Sequence, residues 1–219
     1  AHGLGLVPYS FWLDNGNMIA LSVESLLSTL LIVTRLRELS AERDKARVGE
    51  RSAIRLANSD PLTGLLNRRA FLDLAIGRDQ PHRLLLVDID RFKAINDRVG
   101  HDIGDEVLCA VARLLQDLRP PESLAVRLGG EEFALLVPLA RMQDCPPERI
   151  LETVRQHAMP FGIRATVSLG FADGWVTTAE DWKRLYRLAD SALYRAKADG
   201  RDRACRATDF ATARAAASA

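Results

Sequence analysis

Two short acidic clusters carry the chemistry this sequence could perform. One closes the apolar run Leu-Leu-Leu-Val-Asp-Ile-Asp at 84–90 and contains Asp88 and Asp90. The other is Glu131-Glu132, directly after Gly129-Gly130 and between the apolar runs 124–126 and 133–137. Side chains alternate along a strand, so Asp88 and Asp90 share one face at its C-terminal end. Paired glycines between two strand-like runs read as a β-hairpin turn, with the acids at its tip. Glycine there also lets a bulky anion approach the main chain. Carboxylates gathered this way are hard ligands for Mg²⁺ or Mn²⁺, which complete their shell with phosphate and water oxygens. A solvated hairpin tip, a purely structural cluster and a glycosidase-like acid/base pair are the competing readings. Nearby Lys and Arg residues, with no aromatic sugar platform, favour phosphate.

The stretch 91–105 adds recognition chemistry. An amide offers donor and acceptor together, and an ionised carboxylate accepts the two N–H groups that guanine presents, which makes Asn96 and Asp105 a candidate purine-reading pair. As isolated residues both are more often turn formers or caps, and Asp105 could cap a helix starting near Gly104. Lys93 can neutralise phosphate, although a lone exposed lysine usually does nothing specific.

These residues need a scaffold. At 219 residues, 47% apolar and 27% charged, the chain can hold one well-packed domain plus an appendage. A net charge of +1 with scattered basic residues gives no polyanion-binding signal, so nucleic acid is not expected as a partner. Three cysteines, Cys109, Cys145 and Cys205, show no metal-ligand spacing and suit a reducing compartment. The first residue is Ala1 rather than Met, so a fragment or a processed chain is expected.

Residues 1–17, with Tyr9, Phe11 and Trp12, suit a loop or a membrane interface. Residues 18–34 are apolar except for Ser, Thr and Glu24, and they read as a transmembrane helix of marginal length. Arg35 and Arg37 follow at once and would keep the C-terminal side in the cytoplasm. A soluble dimerisation helix, and hence a cytoplasmic chain, is the competing reading. Residues 35–57 form a helical linker, with Leu36, Leu39, Ala46, Ala53 and Ile54 near heptad spacing but Arg43 and Glu50 in the seam.

Beyond 58, Asp60-Pro61 signals a helix start or a turn, with a helix then running to about 78. Strand 84–90, a loop, helix 104–118, the acidic hairpin, helix 147–157, strand 165–171, helix 179–198 and a short strand within 201–206 follow, ending in an Ala-rich tail at 207–219 expected to be disordered. A hairpin flanked by β-α units predicts an α+β fold: a ferredoxin-like palm, with a mixed sheet, helices on one side and a long N-terminal helix ahead of it.

Five blocks, Asp60-Pro-Leu-Thr-Gly-Leu-Leu-Asn-Arg-Arg-Ala-Phe71, Asp88-Ile-Asp-Arg-Phe-Lys-Ala-Ile-Asn-Asp97, Gly100-His-Asp-Ile-Gly-Asp105, Arg127-Leu-Gly-Gly-Glu-Glu-Phe133 and Ala192-Leu-Tyr-Arg-Ala-Lys-Ala-Asp-Gly-Arg201, resemble the GGDEF family of diguanylate cyclases in order and spacing over residues 58–206. Residues 18–34 also resemble the last helix of a bacterial membrane sensor module, which places the chain at the inner membrane with its catalytic part in the cytoplasm. The family resemblance implies condensation of two GTP into cyclic di-GMP and two pyrophosphates by a homodimer. It implies that Asp88, the Ile89 carbonyl and Glu131 hold Mg²⁺ or Mn²⁺, and that Asn96 and Asp105 read guanine with His101 close by. Main-chain groups at Arg91 and Phe92, with Lys197 and Arg201, would hold phosphates, and Lys93 would steady the reacting one. Glu131 would accept the 3′-hydroxyl proton, beside the signature acid Glu132.

The chain departs from the pattern in one place. Where many relatives carry an Arg-x-x-Asp product-binding site, this sequence reads Pro120-Pro-Glu-Ser123, with Arg119 one place too early and Glu122 out of register. No product inhibition through that site is expected. A catalytically silent GTP-binding or partner-binding module is the alternative from another class, and a cyclase using ATP is disfavoured by Asn96 and Asp105.

Overall fold

The structure, a computed structural model, describes residues 11–207. The expectations for residues 1–10 and for the tail from 208 onward lie outside the described residues. The chain divides into two units, 1–54 and 55–219.

Helix α1 (Phe11–Asn58) takes in residues 11–17, which the sequence suited to a loop or a membrane interface. Within it the 26-residue stretch Asn15–Ser40 is long and apolar enough to cross a membrane. Several of its hydroxyls bond back to the helix itself: Ser22 Oγ donates to the Met18 carbonyl, Thr29 Oγ1 to Ser25 and Thr34 Oγ1 to Leu31. Leu36 and Leu39 of the expected heptads are exposed, and the side chains of Ala46, Ala53 and Ile54 lie outside the described residues.

The second unit contains β1 (Leu66–Asn67), α2 (Arg68–Ala75), β2 (His82–Ile89), α3 (Phe92–Val99), α4 (His101–Leu118), β3 (Leu124–Gly129), β4 (Glu132–Pro138), α5 (Pro147–Gln156), β5 (Val167–Gly174), α6 (Ala179–Ala198) and β6 (Ala204–Arg206). The sheet order is β1-β3-β4-β2-β5-β6, with β2 central and antiparallel to both β4 and β5. Edge strands β1 and β6 pair in parallel with β3 and β5.

Helices cover both faces of this sheet, a correction to the one-sided palm. Leu85, Val87 and Ile89 of β2 join one core with Val107, Val111 and Leu115 of α4 and Ile150 and Val154 of α5. Leu84 and Leu86 join a second core with Phe71 of α2 and Trp182, Leu185, Ala189 and Leu193 of α6. The uninterrupted apolar run of β2 has this cause: a strand buried on both faces has no polar alternation. Burial of a side chain such as Leu84 or Leu85 contributes about 1.5–3 kcal/mol.

Of the two readings of Asp60-Pro61 the structure takes the turn, because Asp60 Oδ1 accepts the Thr63 amide at 2.9 Å and its hydroxyl at 2.7 Å. Helix α2 begins later, capped by Asn67, whose Oδ1 accepts the Ala70 amide at 3.0 Å. The expected loop after β2 is helix α3, and α4 starts at His101, so Asp105 lies inside α4 and is not its cap.

Helix α6 carries a capping box, Thr178 with Asp181, at its N-terminus. It lies so close to β5 that a Cβ on Gly170 would stand 2.1 Å from the Leu193 nitrogen and 2.2 Å from the Ala189 oxygen. Only glycine permits that approach, and the approach fixes where the last turn of α6 delivers its basic residues.

Candidate functional site

Chemistry gathers at the C-terminal end of β2. Asp88, 4% exposed, stands opposite Glu132 on β4 and Ser168 on β5. The hairpin tip closes beside it, since the Ile89 amide donates to the Glu131 carbonyl at 3.4 Å. At the tip, Gly130 has a φ of 51°, a left-handed conformation that glycine adopts without strain. Lys197 Nζ lies 2.7 Å from Asp88 Oδ2.

Both central carboxyls are held above the ordinary carboxylate range. Burial raises Asp88, the nearby Asp90 charge adds to it, and Lys197 and Arg201 oppose. Burial also raises Glu131, helped by the charges of Asp88 and Glu132 and opposed by Lys197. The two acids therefore feel one another, and the cations from the end of α6 reach both. Glu132 is exposed, and its charge, second to burial, helps raise the Tyr186 phenol on α6.

Among the described residues no group of three or more His, Cys, Asp or Glu side chains could hold a metal ion. The expected donors are the Asp88 and Glu131 carboxylates, which lie within each other's field, and the Ile89 carbonyl. A sparse, all-oxygen donor set that leaves room for phosphate and water fits Mg²⁺ or Mn²⁺ and suits zinc poorly.

Asp90 does different work. Ser168 Oγ donates to its Oδ1 at 2.6 Å, and Thr166 Oγ1 (2.7 Å) and the Asp202 amide (3.0 Å) donate to its Oδ2. It ties the loop after α6, and with it Arg201, to the end of β2. Alternation along the strand is the signal that groups Asp90 with Asp88, but nothing in the sequence separates their tasks.

The recognition residues sit on α3 and α4. Arg91, at the start of α3, has a left-handed backbone with a φ of 55°, and Phe92 is buried in the core, so Phe92 can offer a ligand only its main chain. Asn96 Oδ1 is buried and has no hydrogen-bond partner. It faces Gly104, where a Cβ would come within 1.8 Å of it. Sequence reasoning gave Gly104 no part in positioning Asn96, since it put the residue at a helix start rather than against another helix. Asp105 is the next residue, exposed on α4 one turn after His101. Lys93 and His101 are exposed and, among the described residues, take part in no ion pair.

Arg127 links the hairpin to the domain's entrance. Its Nη1 lies 3.1 Å from Asp60 Oδ1, and its Nε donates to the Gly130 carbonyl at 2.9 Å. Burial pulls the Asp60 carboxyl up, but the Thr63 and Arg127 bonds together leave it below the ordinary range.

This arrangement can be set beside known proteins. Residues 57–203 match the family model described as diguanylate cyclase, GGDEF domain. Diguanylate cyclase DgcM of Escherichia coli K12 is 44% identical over a 160-residue alignment that covers 67% of this chain and 38% of that protein, so the chain spans well under half of its relative. The coiled coil and GGDEF domain of DgcB from Caulobacter crescentus, solved with c-di-GMP, superposes with a TM-score of 0.65 at 31% identity, covering 80% of this chain and 99% of that one. The active GGEEF domain of a diguanylate cyclase from Vibrio cholerae gives a TM-score of 0.52 at 33% identity, covering 59% and 85%. A central strand ending in Asp88, a Gly-Gly-Glu-Glu-Phe hairpin folded beside it and a family match across two thirds of its length place this chain in the GGDEF-domain diguanylate cyclase family.

Proposed function

We propose that the chain is an active diguanylate cyclase that condenses two GTP into cyclic di-GMP and two pyrophosphates. The observation that carries this reading is the convergence of Asp88, Glu131 and Lys197 in one mutual field at the end of β2. The intact signature acids, and the likeness to an active GGEEF domain from Vibrio cholerae, support activity over a silent module.

Asp88, Glu131 and the Ile89 carbonyl would hold Mg²⁺ or Mn²⁺, which when bound would make the attacking 3′-hydroxyl more acidic and offset charge on the leaving pyrophosphate. Glu131 takes the 3′-hydroxyl proton. Main-chain groups at Arg91 and Phe92, with Lys197 and Arg201, bind the triphosphate, and Lys93 steadies the reacting phosphate. Asn96 Oδ1 accepts from guanine, which satisfies an otherwise unpartnered buried oxygen, with Asp105 and His101 on the same side.

Each domain presents one GTP and the product is a symmetric ring, so two chains meet face to face. Residues 35–57 set how often they do, and Asn15–Ser40 anchors the protein in the bacterial inner membrane with the catalytic domain in the cytoplasm. The self-satisfied Ser and Thr hydroxyls in that stretch lower the cost of placing it in lipid. Product inhibition through an Arg-x-x-Asp site does not operate. Arg119 donates to Gln116 Oε1 at 3.1 Å and to the Ser123 carbonyl at 2.7 Å, which keeps it within its own loop.

The test is incubation with GTP and Mg²⁺, in parallel with ATP, and identification of the products, with Glu131→Ala as control. Cyclic di-GMP from GTP alone, lost in the variant, supports the reading. Bound but unconverted GTP sinks it.

A further inference from the structure

Helix α5 carries none of the residues assigned to the site, yet its Arg155 reaches the turn that presents one of them. Arg155 Nε donates to Asp202 Oδ2 at 3.1 Å, and its Nη2 lies 3.1 Å from the same oxygen. Its Nη1 lies 3.1 Å from Glu152 Oε2, one turn back on α5, which holds the guanidinium in that direction. Asp202 directly follows Arg201, in the loop between α6 and β6.

Three consecutive residues of that loop, Gly200, Arg201 and Asp202, have positive φ, of 116°, 63° and 49°. Arg201 and Asp202 are not glycines, so the turn is strained and persists only where its surroundings hold it. Its main chain is tied to the domain by the Arg201 amide, which donates to the Ala196 carbonyl at 2.9 Å, and by the Asp202 amide, which donates to Asp90 Oδ2 at 3.0 Å. That second bond brings two carboxylates, Asp90 and Asp202, to one place. Asp90 meets only neutral donors, Ser168, Thr166 and the amide, and Asp202 Oδ1 is buried without a partner. Among the described residues Arg155 is the one cation in an ion pair with either acid.

The Arg201 guanidinium, whose charge reaches Asp88, makes no hydrogen bond or ion pair among the described residues. Its direction is therefore set by the turn alone. The Arg155 and Asp202 side chains are 45% and 34% exposed, and ion pairs so exposed add little to stability. What this one can change is the geometry of the turn.

We propose that Arg155 is a positioning residue for the triphosphate: by neutralising Asp202 beside Asp90, it keeps the turn that aims Arg201 at the reacting centre. The identity of the ligand rests on the cyclase reading above. Without Arg155 the two carboxylates repel, the turn relaxes and Arg201 leaves the phosphates. An outer helix is thereby coupled to substrate affinity.

Calorimetric titration of the full chain with a non-reacting GTP analogue and Mg²⁺ tests this, on wild type, Arg155→Ala, Arg201→Gln and their combination. Arg155→Ala is expected to bind the analogue about five- to tenfold more weakly, with a melting temperature within about 3 °C of wild type. In the Arg201→Gln background the same substitution should change affinity by less than about twofold, because Arg155 acts only through Arg201. Adding Asp202→Asn to Arg155→Ala removes the repulsion while tolerating the left-handed backbone, and should bring affinity back to within about twofold of wild type. Unchanged affinity in Arg155→Ala overturns the proposal. So does an equal loss in both Arg201 backgrounds, or no recovery with Asp202→Asn. The expected pattern of affinities in a protein that makes no cyclic di-GMP would keep Arg155 as a positioning residue and sink the cyclase reading instead.

Discussion

Lys197 Nζ sits 2.7 Å from Asp88 Oδ2, joining the last turn of α6 to the end of β2 across the second core. The contact depends on Gly170, whose missing side chain lets α6 settle on β5 and so sets the reach of Lys197. Replacing Lys197 by Met removes a charge-assisted partner of the triphosphate. The expected outcome is a ten- to hundredfold loss in kcat/KM for GTP, from about 1.5–3 kcal/mol of lost interaction. Steady-state kinetics at saturating Mg²⁺ check it, and an unchanged kcat/KM contradicts it.

Glu131→Gln separates catalysis from stability. Asp88 and Glu131 are raised, first by burial and then by neighbouring acids, so the folded domain binds their protons more tightly than the unfolded chain does. Their contribution to stability is therefore fully present below the ordinary carboxylate range and is lost as pH rises through the raised values. Removing the Glu131 charge should leave the melting temperature of the metal-free protein at neutral pH equal to or above wild type. Activity should fall about a hundredfold or more. A variant that melts several degrees lower would mean that Glu131 is structural.

Gly104→Ala tests guanine recognition without touching a polar group. The added Cβ would meet Asn96 Oδ1 at 1.8 Å and push the amide from its place. KM for GTP should rise about ten- to a hundredfold, and preference over ATP should narrow, because a buried acceptor would no longer meet its donor. Competition kinetics with the two nucleotides measure both effects.

Arg127→Ala tests the strut between Asp60 and the Gly130 carbonyl. The two side chains are 13% and 19% exposed, so truncation leaves a partly buried carboxylate with Thr63 but no cation, at a cost of about 1–3 kcal/mol in denaturant unfolding at pH 7. The Asp60 carboxyl is lowered from its reference value of 3.8, so its stabilising contribution is present above that value and is lost as pH falls through the lower folded one. The stability gap between wild type and Asp60→Asn should therefore close in acid. A gap that persists there contradicts the assignment.

The acidic pair was legible because its signals are local. Asp88 ends an apolar run, and Glu131 follows two glycines, so strand alternation and hairpin chemistry alone suggest both positions. Helix α3 was not legible, because it opens on Arg91 with no side-chain cap and only Gly100 separates it from α4. Two-sided covering of the sheet was present in the run 84–87, all apolar, but an unbroken run states that both faces are buried without saying by what. The encounter of Asn96 with Gly104 and the pairing of Arg155 with Asp202 depend on tertiary approach, which no periodicity encodes.

The central claim is that Asp88 and Glu131 jointly seat divalent cations against a triphosphate. The most direct measurement is Mn²⁺ titration, followed by electron paramagnetic resonance, of wild type, Asp88→Asn and Glu131→Gln in the presence of a non-reacting GTP analogue. Tight Mn²⁺ binding in wild type that weakens at least about tenfold in each variant is the predicted result. Mn²⁺ binding that is indifferent to both substitutions would contradict it.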